Sequence, residues 1–364
     1  MAPVVRDLRR PGSGLEPVVV STGQHRHLLD QVLKVLEIDV DIDLDLMVEN
    51  QELAEFSSKA ISGLSRVVAD EEPSLVLVHG DTSTALAGAL AGFYNRVPVG
   101  HVEAGLRTGD LYSPWPEEAN RRLVGGLAAE HFAPTEASRQ NLLREGIPTE
   151  SILVTGNTVV DSLHWIRDEL LARPSVERSL AARFDHLPDR DIVLVTNHRR
   201  ENFGDGMKRV YSALRELAGM YPELAFVFPV HLNPNARRPA EALLGGMANV
   251  HLIEPVEYLE FVYLMTRARL IVTDSGGVQE EAPSLSVPVL VTRETTERPE
   301  AIAAGTATLV GTDPDLLIEH AHRLLRRAPG AVGPAGGNPY GDGRAASRIG
   351  EVVRMRLGLG GSNA

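Results

Sequence analysis

The chain has 364 residues, of which 43% are apolar and 23% charged, an ordinary globular composition long enough for about two domains. A net charge of −13 argues against a general binder of nucleic acid or anionic membrane, while leaving room for a local basic pocket that holds a small anion. The absence of cysteine excludes disulfides, thiolate metal sites and cysteine nucleophiles, and no apolar run approaches the ~18 residues of a membrane span or forms a signal-peptide core, so a soluble, cytoplasmic protein is expected.

In chain order, the sequence opens on an amphipathic helical segment, Ala2–Arg10, with Val4, Val5 and Leu8 on one side. Short β-branched runs then alternate with helical patterns, the mark of a parallel α/β architecture. The first half offers strands at Val18–Ser21, Leu75–Val78, Val97–Val102 and Ile152–Val154, with helices at Glu52–Val68 and Glu117–Ala129. The pattern resets over residues 174–190, where Pro174, a polar helical stretch and Pro188 precede a new series. That series has strands Ile192–Thr196, Ala225–Val230, Val250–Ile253, Leu270–Thr273 and Val287–Val291, and helices Met207–Ala218 and Asp313–Arg326. Near-continuous apolar runs of this kind suit strands buried on both faces. The Gly- and Pro-rich stretch 329–343 reads as a surface crossing and Arg344–Leu357 as a last helix. The expected fold class is therefore α/β, with two Rossmann-like domains, 1–160 and 161–345, facing across an active cleft, and residues 346–364 as a C-terminal helix packing back on the first domain. A doubly wound sheet normally opens with a strand, so this one either starts on a helix or is missing a strand and its loop.

Loops after the C-terminal ends of parallel strands face the ligand crevice. The strand at Leu75–Val78 delivers His79-Gly80-Asp81-Thr82, in which Asp81 is either the cap of the next helix or a catalytic carboxylate, the cap being favoured on spacing alone. The next strand ends in His101-Val102-Glu103-Ala104-Gly105-Leu106-Arg107, where Glu103 can enter the same crevice or pair with Arg107 at the surface. Pro116-Glu117-Glu118 is a good helix start, since acids favour the positive end of the dipole, and that accounts for one of the two carboxylates. Three carboxylate-bearing loops converging on one crevice say more than any one of them.

In the second half, Asn197-His198-Arg199-Arg200-Glu201 suits phosphate oxygens, although an Arg–Glu surface pair competes. His231, in His231-Leu232-Asn233-Pro234, reads first as a loop hydrogen-bonder. Asp274-Ser275-Gly276-Gly277 opens a helix whose free N–H groups form a phosphate cradle, with Glu281 placed to take ribose hydroxyls. It is neither a Walker loop nor a dinucleotide Gly-x-Gly-x-x-Gly pattern. Arg298, in Thr295-Thr296-Glu297-Arg298-Pro299-Glu300, is offered to the same pocket. Asp39, Asp41, Asp43 and Asp45 match no calcium loop and read as a solvated edge segment, and His25 and His27 point apart on a helix, so no metal site is expected.

These motifs, together with Asn338-Pro339-Tyr340-Gly341-Asp342-Gly343, resemble the bacterial non-hydrolysing UDP-N-acetylglucosamine 2-epimerases, in order and with family-like spacing from the first residues to about residue 355. The resemblance implies the two-domain glycosyltransferase-B fold and reversible interconversion of UDP-N-acetylglucosamine and UDP-N-acetylmannosamine. It implies elimination of UDP across C1–C2, through 2-acetamidoglucal, and re-addition. Asp81, Glu103 and Glu117 match the family's carboxylates, and His198 its essential histidine. Arg199, Phe261, Ser275, Gly276, Gly277, Glu281 and Arg298 are carried over as substrate-binding. Gln24, His25, Arg26 and His231 occupy the places of an allosteric substrate site. The resemblance implies no metal or nicotinamide cofactor and no nucleic acid or membrane partner, and it implies a homodimer involved in polysaccharide biosynthesis.

The sequence departs from the family at its start, where members carry a strand, a Gly-Thr-Arg-Pro-Glu loop and a Lys before the segment matching Ala2-Pro3. The expectation is that this first strand and loop are missing. The alternatives are a hydrolysing epimerase that releases N-acetylmannosamine and UDP, and a catalytically impaired nucleotide-sugar-binding protein.

Overall fold

The β-branched runs become the strands of parallel sheets in a computed structural model that describes residues 1–23, 32–48, 51–187, 191–199, 202–327 and 337–359. The chain divides into two compact units, Met1–Ser162 with Tyr340–Ala364, and Leu163–Pro339. These boundaries fall at 162 and 339, where the sequence pattern placed them at 160 and 345.

In the first unit, β1 (Val20–Ser21) pairs in parallel with β2 (Ile42–Asp43). A separate four-stranded parallel sheet runs in the order β3 (Val76–His79), β4 (Val99–Val102), β5 (Glu130–Ala133), β6 (Ile152–Val154). The aspartate-rich segment is thus a short strand with its flanks. Asp41 accepts from the Val19 N–H at 2.7 Å and from Arg9 at 2.6 Å, so backbone and arginine occupy it. The helix Ala345–Arg356 packs on the opening helix Ala2–Arg9, burying Val4, Leu8, Ile349 and Val353 together with Val102 and Phe132 of the sheet. Asp161 caps this last helix, accepting from the N–H groups of Ala345 at 3.2 Å and Ala346 at 2.9 Å.

The second unit has one six-stranded sheet, all parallel, containing β7 (Ile192–Thr196), β8 (Ala225–Pro229), β9 (Val250–Ile253), β10 (Ala268–Thr273), β11 (Val289–Val291) and β12 (Ala307–Leu309). Their order is β12-β11-β10-β7-β8-β9. This is the doubly wound 3-2-1-4-5-6 order, and its direction reverses between β7 and β10, where such sheets hold ligands. Tyr211, Leu214 and Leu217 of helix Asp205–Met220 pack with Phe226 and Phe228 of β8 in a continuous core.

Three strands escape the sequence pattern, the two-residue β2 among them. In β5, Glu130 and His131 interrupt the apolar run, and His131 stays buried because its ring bonds the Gly125 carbonyl at 2.9 Å. β12 is only three residues long. Among the described residues, no helix is long and apolar enough to cross a membrane.

Candidate functional site

In the first unit, β3 ends in His79 and the chain turns through Gly80, whose φ of 68° lies in the left-handed region. Asp81 follows, but it does not cap the next helix. Thr82 does, its hydroxyl accepting from the Ala85 N–H at 3.3 Å. That corrects the capping alternative and leaves the Asp81 carboxylate for another purpose. It pairs with Arg121, whose Nε lies 3.0 Å from Oδ2, while Asn120 donates to the Asp81 carbonyl at 2.9 Å. The buried His101 ring supports the same turn, its Nε2 lying 2.8 Å from the Gly80 carbonyl. Burial pushes the His101 imidazole down to about 4, so it is neutral at physiological pH.

Glu103, just past β4, sits at φ 64°, an uncommon conformation for a residue with a side chain. One carboxylate oxygen lies 3.0 Å from His79 Nε2, and the other accepts from Asn157 at 3.3 Å. Its suggested partner Arg107 instead binds Glu145, at 2.6 Å, so the surface-pair alternative for Glu103 falls. Two residues on, Gly105 has φ 90°, and a Cβ there would strike the Ser138 carbonyl oxygen. Only glycine fits that turn.

The helix Glu117–Leu127 begins with two carboxylates in opposite situations. Glu118 is fully buried and satisfied by Arg121 and Arg122, both at 3.2 Å, and by the N–H groups of Thr108 and Gly109. Glu117 is half-exposed and has no hydrogen bond or ion pair with a described residue. Structure therefore accounts for Glu118 and leaves Glu117 available. The residue that sequence reasoning missed is Arg121, which joins Asp81 to this helix. Its only signal was an arginine one turn after the paired acids.

In the second unit, His198, His231, Phe261 and Ser275 line one pocket of about 240 Å³ with Asn197 and Val278. The His198 and His231 rings stack, 6.0 Å between centroids and 15° between planes. His231 also accepts from the Asn233 N–H at 3.0 Å. Asp274, wholly buried, was read only as part of a loop. Its Oδ2 accepts from the N–H groups of His198 and Arg199, both at 2.8 Å, and its Oδ1 lies 3.2 Å from His198 Nδ1. Burial alone would push the Asp274 carboxyl up, but the His198 imidazole and the two N–H donors outweigh it and hold it below the ordinary range.

Gly276 and Gly277 start the helix Gly276–Glu281. The Arg298 guanidinium covers Gly276, so a Cβ would meet its central carbon at 3.3 Å. Arg298 is also bound through Nε to Glu280 at 2.7 Å, which makes it part of the loop's framework rather than a free cation offered to the pocket. Glu281 is buried and accepts a hydrogen bond from the Tyr258 hydroxyl. Burial raises its pKa to about 7, despite the opposing Tyr258 bond and with Glu280 adding to the rise. Of the other expected residues, Gln24, His25 and Arg26, together with His27, Arg200 and Glu201, lie outside the described residues.

The sequence profile of the UDP-N-acetylglucosamine 2-epimerases matches residues 8–354. The chain is 53% identical to the UDP-N-acetylglucosamine 2-epimerase of Escherichia coli strain K12, over 97% of this chain and 94% of that one. The crystal structure of the Neisseria meningitidis epimerase bound to UDP-GlcNAc superposes with a TM-score of 0.87 at 49% identity, covering 98% of this chain and 96% of that one. A Rickettsia africae glycosyltransferase, 13% identical with a TM-score of 0.61, shares the glycosyltransferase-B-like fold, and over fold alone. With coverage this high, the comparisons lend no support to the expectation of a missing first strand. The chain belongs to the UDP-N-acetylglucosamine 2-epimerase family of isomerases.

Proposed function

We propose that this chain interconverts UDP-N-acetylglucosamine and UDP-N-acetylmannosamine by elimination and re-addition of UDP. A carboxylate of the first unit removes the C2 proton as the C1–O bond breaks, its electron pair leaving with UDP and the C1–C2 double bond of 2-acetamidoglucal forming. A second carboxylate then returns a proton to the opposite face of C2 as UDP oxygen re-adds at C1. The observation that carries this reading is the set of three carboxylates in different surroundings: Asp81 on Arg121, Glu103 beside His79, and Glu117 with no partner among the described residues. Distinct surroundings are what allow neighbouring carboxyl groups to divide acid and base work.

The second unit's residues hold the leaving group. His198 and Arg199 serve the diphosphate with the N–H groups of Ser275, Gly276 and Gly277, Glu281 the ribose, and Phe261 the nucleoside. Arg298 acts through the glycine loop it covers. A diphosphate held by cationic and N–H donors is a better leaving group because its developing charge is stabilised. The likeness to the Neisseria epimerase bound to UDP-GlcNAc supports a UDP-sugar as the ligand. The route needs neither nicotinamide nor metal. Gln24, His25, Arg26 and His231 are assigned to a regulatory substrate site, and the working form is a cytoplasmic homodimer.

Incubation with UDP-N-acetylglucosamine and product analysis by NMR tests the reading. UDP-N-acetylmannosamine is the expected product. Free N-acetylmannosamine with UDP would mark a hydrolysing enzyme, and binding without turnover a nucleotide-sugar-binding protein.

A further inference from the structure

Asp274 belongs to none of the roles above, yet it is a buried carboxylate at the point where the second unit's strand order reverses. Its two oxygens do different things. Oδ2 accepts from the N–H groups of His198 and Arg199, at 2.8 Å each, clamping the loop after β7 to the loop after β10. Oδ1 lies at ion-pair distance, 3.2 Å, from His198 Nδ1 and accepts no hydrogen bond from a described residue. The His231 ring stacks on one face of His198. The Nδ1 edge and one face of the imidazole are thus engaged, while Nε2 has no hydrogen bond to a described residue and His198 lines the pocket.

We infer that Asp274 is a positioning residue that sets the tautomer and orientation of His198, so that Nε2 is presented to the phosphate oxygens of a bound uridine diphosphate. The inference rests on the function proposed above. An anionic carboxylate facing Nδ1 requires the proton on that nitrogen, because two acceptors otherwise oppose one another. An imidazolium between a phosphate oxygen and the Asp274 carboxylate would meet an anionic acceptor with each of its two N–H groups. The partner of one ring nitrogen decides what the other can do.

Asp274→Asn separates this role from loop clamping. An asparagine oxygen can still accept both backbone N–H groups, but its amide donates toward Nδ1 and forces the neutral Nε2–H tautomer. UDP affinity, by calorimetry, and turnover of UDP-N-acetylglucosamine are measured for wild type, Asp274→Asn, His198→Gln and the double variant. Asp274→Asn should lower both on the order of tenfold or more in the His198 background, and less than about threefold in the His198→Gln background. Equal losses in the two backgrounds would show that Asp274 acts on the loop and not through His198, and overturn the inference. So would an Asp274→Asn variant within about threefold of wild type in both measurements. If wild type fails to epimerise, the functional reading falls, while the UDP-binding cycle still decides the role of Asp274. A chain that binds no UDP overturns both.

Discussion

Arg121 grips Asp81 across a sequence separation of 40, its Nε 3.0 Å from the carboxylate oxygen Oδ2, while its NH1 lies 3.2 Å from the buried Glu118. One guanidinium thus joins the turn after β3 to the first turn of the helix that begins with Glu117. The pair fixes where the Asp81 carboxylate stands relative to Glu117. Such a link has a double consequence, for stability and for chemistry.

Arg121→Met should make both visible. Removing the buried guanidinium leaves the partly buried Asp81 carboxylate uncompensated, so chemical denaturation should show a loss of roughly 2 kcal/mol, with turnover falling as well. Glu118 keeps Arg122 and two N–H donors, so the protein should still fold. An unchanged denaturation midpoint and rate would contradict this account of Arg121.

The carboxylates of the two units should respond differently to substitution. Glu117→Gln should lower turnover on the order of 100-fold with little change in substrate affinity, as loss of proton transfer does. Glu281→Ala should instead weaken UDP binding on the order of tenfold, because it removes a hydrogen-bond partner present in the ground state. Calorimetry with UDP beside steady-state kinetics separates the two. Equal loss of turnover at unchanged affinity in both variants would mean that these roles are misassigned.

Much of this was legible because its signals are local. Runs of β-branched residues gave the strands at Ile192–Thr196 and Val250–Ile253 to the residue, and the residues after strand ends supplied Asp81, Glu103 and His198. What was illegible depends on partners distant in sequence. The link from Asp274 to His198 spans a separation of 76 and that from Asp81 to Arg121 one of 40, and no spacing rule reports such pairs. On spacing alone a cap was the favoured alternative for Asp81, because Asp and Thr both cap helices well; the turn at Gly80 decides in favour of Thr82. β5 was hidden because a histidine in a strand looks polar until its hydrogen bond is seen.

Glu281 makes a prediction about pH. Its folded pKa of about 7 exceeds the ordinary carboxyl value of 4.5, so the folded chain retains a proton that the unfolded chain has lost between those values. This contribution to stability is complete below pH 4.5 and is lost as pH rises through 7. Glu281→Gln removes the slope, since glutamine accepts the Tyr258 bond without ionising. The variant should gain stability over wild type as pH rises from 5 to 8, approaching roughly 3 kcal/mol at the upper end. Melting curves at several pH values check it. A difference that does not vary with pH would place the Glu281 carboxyl outside a dry environment.

If the C2 proton leaves as the bond to UDP breaks, hydrogen from solvent must enter at C2. The protein is incubated with UDP-N-acetylglucosamine in heavy water, and C2 of both nucleotide sugars is read by NMR and mass spectrometry. Deuterium should accumulate at C2 of UDP-N-acetylmannosamine and, as the reaction reverses, of UDP-N-acetylglucosamine. UDP-N-acetylmannosamine formed with its C2 proton wholly retained would contradict removal of that proton to an exchanging carboxylate, and with it the roles given to Asp81, Glu103 and Glu117.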